Sequence, residues 1–181
     1  MPKGIILLNN GLEDVEAIAT IDVLRRAGIV LDTFSLDDND ILTQTGIKIK
    51  SEKLYKDIKL SDYDFLVIPG GGAVFKYLHK RNEVSTIIKA FADNKKLVAS
   101  ICAAPSLVGK LGYFKNKKFT CFPGCEGGID GKYTSNGVEV VDNFITAKSM
   151  AYAIDFALEI VKYLLGKEVS KQVEKSIYAS K

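Results

Sequence analysis

The chain is poor in the residues that most often carry metal and acid–base chemistry: one histidine (His79), three cysteines and no tryptophan among 181 residues. A single imidazole excludes every metal site built on two or more histidines, and any histidine-dependent triad would have to use His79. Arginine is scarce too, with Arg25, Arg26 and Arg81 the complete set. Bidentate recognition of phosphate or guanine therefore has few candidates. The formal net charge of +3 is spread along the chain rather than gathered into the basic stripe of a nucleic-acid binder. No apolar run approaches the roughly 18 residues of a membrane span, and Met1-Pro2-Lys3 leads into a strand-like segment rather than a secretory leader. Three cysteines, an odd number, do not read as a disulfide framework. The expectation is a cytoplasmic protein with neither membrane nor nucleic acid as its main partner.

What is present fits one globular domain over residues 1–181, with 47% hydrophobic and 26% charged residues. Gly4–Leu8, Phe65–Ile68 and Leu97–Ile101 are continuous apolar runs of the kind buried on both faces of a sheet. Ile29–Leu36, Val138–Val141 and Phe144–Thr146 read as further strands, and Ile41–Ile49, broken at Thr45-Gly46, as a hairpin. Helical spacing of Val15, Ile18, Ala19, Val23 and Leu24 predicts a helix over Glu13–Ala27, with acids at its start and Arg25 and Arg26 at its end. Further helices are predicted over Val74–Leu78, Glu83–Asp93 with Asn82 as N-cap, Pro105 to about Lys110, and Met150–Leu165. Strands alternating with helices indicate an α/β sheet, mostly parallel, whose ligands sit beyond the carboxyl ends of the strands. Three segments reach that rim: Asn9–Glu16, Gly70–Gly72 and Cys102.

Cys102 falls between a strand and a helix. A thiol there is close to the free N–H groups of the helix start, and a helix N-terminus favours anions, which predicts a stabilised thiolate and a lowered pKa. The N–H groups of Gly71 and Ala103 are candidates for holding the oxyanion formed when the sulfur attacks a carbonyl. The plain alternative is a small hydrophobe filling a strand end. Glu16 has two readings as well: a carboxylate complementing the helix dipole, or a proton-carrying partner of Cys102, since two adjacent anions are costly. His79, in Lys76-Tyr-Leu-His-Lys80, reads as solvent-exposed. Cys121 and Cys125 lack a second pair of ligands and read as unpaired thiols. Neither a metal site nor a cofactor site is predicted.

Gly11-Leu-Glu-Asp-Val-Glu16, Asp22-Val-Leu-Arg-Arg-Ala-Gly28, Val67-Ile-Pro-Gly-Gly71, Ala99-Ser-Ile-Cys-Ala-Ala-Pro105 and Gly166-Lys-Glu-Val169 together resemble the DJ-1/PfpI superfamily, in its DJ-1 (ThiJ) branch. The resemblance covers nearly the whole chain. It implies a flavodoxin-like three-layer sandwich, usually a homodimer, with a nucleophile elbow at Cys102 and Glu16 as its hydrogen-bonding partner. It also implies that Gly70 and Gly71 flank the site and that Gly71 and Ala103 supply backbone donors. Members of the family are described as cofactor-free glyoxalases or deglycases acting on small reactive carbonyls such as methylglyoxal, and as oxidative-stress sensors or chaperones through cysteine oxidation. Three positions depart from the pattern. Phe122 stands where many members place a histidine, and Ala103 where PfpI-type peptidases do, which speaks against proteolysis. Gly46 falls near an arginine of the animal proteins that reaches the partner's site.

Overall fold

The computed structural model describes residues 1–178, so residues 179–181 of the expected 1–181 domain lie outside the described residues. Chain order is β1 (Lys3–Leu7), α1 (Asp14–Arg26), β2 (Val30–Ser35), β3 (Asp40–Leu42), β4 (Lys48–Lys50), β5 (Lys53–Leu54), β6 (Phe65–Ile68), α2 (Ala73–Lys76), α3 (Asn82–Ala92), β7 (Leu97–Ile101), α4 (Pro105–Gly109), β8 (Lys118–Phe119), β9 (Lys132–Tyr133), β10 (Val138–Val141), β11 (Phe144–Ala147), α5 (Ala153–Leu165) and α6 (Lys167–Ser176). A seven-stranded sheet runs β10-β11-β7-β6-β1-β2-β5. Every pairing in it is parallel except β10 with β11. Beside it, β3 and β4 form an antiparallel hairpin with Ile41 opposite Ile49.

The apolar runs are continuous because both sheet faces are covered, and successive side chains go to opposite cores. Ile5, Leu7, Leu66, Ile68 and Val98 pack on one side with residues of α3 and α4. Ile6, Phe65, Val67, Leu97, Ala99 and Ile101 pack on the other with α1 and α5. The result is the flavodoxin-like three-layer α/β sandwich that the sequence indicates.

Some details differ from expectation. On α1 the buried face is Asp14, Glu16, Ala17, Thr20, Val23 and Leu24, whereas Val15 and Ile18 are 44% and 46% exposed. The N-cap of α1 is Glu13, whose carboxylate accepts from the Glu16 N–H at 2.8 Å and so pairs a free donor at the helix start. Arg81, not Asn82, precedes α3, and Asn82 is its first helical residue. Helix α6 and strand β5 are additional to the sequence-based elements. Among the described residues no helix is long and apolar enough to cross a membrane.

Candidate active site

The carboxyl ends of β1, β6 and β7 bring the three rim segments together, as the parallel topology requires. Cys102 follows β7 directly and has φ +64°, a left-handed conformation uncommon in a residue with a side chain. Two backbone hydrogen bonds hold it there. Its N–H donates to the Ala147 carbonyl and its carbonyl accepts from the Phe122 N–H, both at 2.8 Å. Pro105 then opens α4, a helix of only five residues, and the N–H groups of Gly71 and Ala103 are the groups that favour the thiolate.

Gly70 is the spacer between the two candidate reactive side chains. A Cβ on it would lie 2.7 Å from Cys102 Cβ and 2.8 Å from Glu16 Oε2, so only glycine allows both to flank it. Its N–H donates to Glu16 Oε2 at 2.9 Å. Gly71, at φ +96°, packs so closely on the α1 entry that a Cβ would meet the Glu13 nitrogen at 2.5 Å. These contacts set Glu16, 1% exposed, against the cysteine instead of in solvent at the helix start.

Burial drives the electrostatics of the pair. It pushes Glu16 up to about 7, against the opposing pull of the Gly70 N–H and the Cys102 thiol. Cys102 is also raised, first by burial and then by the charge and hydrogen bond of Glu16, with the Gly71 and Ala103 N–H groups acting the other way. The expected lowering of the Cys102 pKa is therefore corrected. An ionised Glu16 disfavours a thiolate beside it, because two buried anions repel, so the pair retains at least one proton between them. Glu16 Oε1 is buried and has no hydrogen-bond partner among the described residues.

The remaining positions fall around the pair. Phe122 supports the elbow through its main chain, while its side chain is 48% exposed. Cys121 is fully buried and pushed up to about 12, chiefly by burial, and all three cysteines are free. Gly46 lies at the hairpin tip with open space around it. His79 is not the solvent-exposed residue expected: it is half-buried, stacks on Phe75 and lies 3.0 Å from the Ser106 hydroxyl. Burial, then Lys110, lower its pKa. Ser106 escapes sequence reading because its neighbour in space is 27 residues away in the chain. No group of three or more histidine, cysteine, aspartate or glutamate side chains able to hold a metal occurs among the described residues.

A parallel α/β sandwich with a cysteine on a left-handed turn after a central strand, beside a buried glutamate, defines a class of cysteine-elbow proteins. The chain belongs to the DJ-1/PfpI family, whose sequence model matches residues 3–163. It is 31% identical over 180 residues to DJ-1alpha of Drosophila melanogaster, covering 97% of this chain and 83% of that protein. It is 30% identical over 178 residues to DJ-1 homolog B of Arabidopsis thaliana, covering 97% of this chain but only 41% of that longer protein. The crystal structure of Drosophila melanogaster DJ-1beta superposes with a TM-score of 0.91 at 28% identity, over 100% of both chains.

Proposed function

We propose that the protein is a cofactor-free glyoxalase or deglycase-type enzyme acting on small 2-oxoaldehydes such as methylglyoxal, with Cys102 as nucleophile and Glu16 as proton carrier. The observation that carries this reading is the placement of a buried, near-neutral-pKa carboxyl and a thiol on either side of Gly70. A carboxyl tuned near 7 is suited to both giving and taking protons. Transfer of the thiol proton to Glu16 frees the sulfur to add to the aldehyde carbon. The Gly71 and Ala103 N–H groups stabilise the resulting oxyanion until protonated Glu16 returns the proton to it, giving a hemithioacetal and a Glu16 carboxylate. Glu16 then removes the proton from that carbon and, through an enediol, a proton is returned to the adjacent carbon. One carbon is oxidised as its neighbour is reduced, leaving a thioester. Water hydrolyses the thioester, releasing the 2-hydroxyacid and restoring the thiol. The sum is methylglyoxal plus water to lactate and a proton.

A second reading rests on exposure. Cys102 and Cys125 are partly accessible while Cys121 is fully buried, and only Cys102 has Glu16 beside it. Two equivalents of peroxide would take its sulfur through a sulfenic to a sulfinic acid, to which a protonated Glu16 can donate, releasing two waters; the protein would then be an oxidative-stress sensor or chaperone. In either role we propose a cytoplasmic homodimer of single-domain chains. The apolar residues left outward on α1 and the β3–β4 hairpin, Val15, Ile18, Leu42 and Ile47, support pairing through that face. The deciding experiment is lactate formation from methylglyoxal by the purified protein. Turnover by the wild type and none by Cys102→Ser is expected, and equal activity in the two overturns the enzyme reading.

A further inference from the structure

Ser106 spends its hydroxyl proton on the elbow, where its N–H also donates to the Ala103 carbonyl at 3.1 Å. Its Oγ donates to the Ala103 carbonyl at 2.6 Å, and a carbonyl can only accept. Ser106 Oγ is also 3.0 Å from His79 Nε2. Since the hydroxyl proton is committed, the imidazole is the donor at that contact, which places a proton on Nε2. The far side of the ring is fixed by Phe75, with ring centroids 5.4 Å apart and planes 28° from parallel. Ser106 itself is 1% exposed, so its hydroxyl depends on protein partners.

This chain of donors ends at residue 103, which follows Cys102 directly and whose N–H works against the rise of the thiol pKa. The same turn is held from its other end by the Phe122 N–H on the Cys102 carbonyl. We propose that His79 is a positioning residue for the Cys102 elbow: by donating to Ser106 it fixes the hydroxyl that holds the Ala103 carbonyl, and with it the turn that presents the 103 N–H to the sulfur. The inference rests on the reading of Cys102 as the reactive group. It gives the chain's single histidine a part in the site from the opposite side of the elbow to Glu16.

Two substitutions separate the donor from the ring. His79→Phe keeps an aromatic ring against Phe75 and removes the donor, whereas His79→Gln loses the ring and keeps an N–H near the Nε2 position. The rate of Cys102 alkylation by iodoacetamide, read by mass spectrometry with Cys125 as internal standard, needs no substrate and no turnover. His79→Phe should slow Cys102 by about 2- to 10-fold, the span of an ordinary net hydrogen bond, and His79→Gln should restore it. In a Ser106→Ala background, His79→Phe should add nothing, because its route to the elbow is gone. A His79→Phe rate equal to wild type overturns the inference, as does a His79→Gln variant as slow as His79→Phe, which would assign the ring a packing role only. A wild-type Cys102 that takes up no label at any pH from 7 to 10, while Cys125 does, removes the reactive-site reading itself and this inference with it.

Discussion

The first turn of α1 holds two buried acids, two residues apart, with opposite fates. Asp14 faces the β3–β4 hairpin, where the Thr43 and Thr45 hydroxyls both donate to its Oδ1. Burial alone would raise its pKa, but these hydrogen bonds hold it below the usual carboxylate range. Glu16 faces the elbow, accepts one backbone N–H, and is pushed up to about 7 by burial. Both sit in the same helix turn, but the Glu16 carboxyl is buried more deeply, so the difference comes from depth of burial together with donor supply. Hydroxyls turn one acid into a fixed anion that ties the helix to the hairpin, and their scarcity turns the other into a group able to carry a proton.

The largest test of that contrast is Glu16→Gln. The amide cannot exchange protons, so turnover should fall by about 10²- to 10⁴-fold. It also removes the negative charge that holds the Cys102 proton, so iodoacetamide labelling of Cys102 should be as fast as in wild type or faster above pH 7. Slower labelling together with intact turnover would contradict both the shared proton and the role of Glu16.

Next in size is the pH dependence of stability. The folded pKa of Glu16, about 7, lies above its ordinary 4.5, so the fold favours the protonated form. Its contribution is complete below pH about 4.5 and is lost as pH rises through about 7. With about 1.36 kcal/mol per unit, the loss is on the order of 3 kcal/mol. Asp14 has the opposite sign: its stabilisation is present above its ordinary 3.8 and disappears as pH falls through its lowered folded value. Urea titrations between pH 4 and 8 should show a decline in wild type that flattens in Glu16→Gln. An equal slope in both proteins would mean that Glu16 is ionised throughout.

Sequence reading does well where burial leaves a pattern. Leu97–Ile101 has the same limits in β7, and Phe65–Ile68 in β6, because a strand covered on both faces is an uninterrupted apolar run. It misses α6, a short and mostly polar helix in which only Ser170 and Val173 are buried. It brings Cys102, Glu16, Gly70, Gly71 and Ala103 to one rim but misjudges the thiol's acidity. N–H groups near a strand end are visible in a motif, whereas the desolvation of Glu16 against the sulfur depends on packing from three strands. Asp14 and Glu16 are indistinguishable as acids at a helix start, and the hairpin hydroxyls that separate them are about thirty residues away.

The smallest expected effect isolates the hairpin half of the comparison. Thr45→Val removes one donor to Asp14 with little change of shape, and Thr45 Oγ1 is 2.7 Å from Asp14 Oδ1 while Thr43 still donates to the same oxygen. The cost should be about 1 kcal/mol of unfolding free energy at pH 7, more than an exposed hydroxyl would give because the acceptor is buried. The Asp14 pKa should move back toward its ordinary value, so the acid limb of the stability curve should begin at a higher pH than in wild type. Cys102 labelling should stay at the wild-type rate, since Glu16, on the other side of the helix start, keeps its Gly70 donor. Urea titration at pH 7 and pH 4, paired with alkylation kinetics, reads both quantities. If Thr45→Val changed Cys102 labelling as much as Glu16→Gln did, the two acids would form one coupled unit and the division between anchor and proton carrier would be wrong.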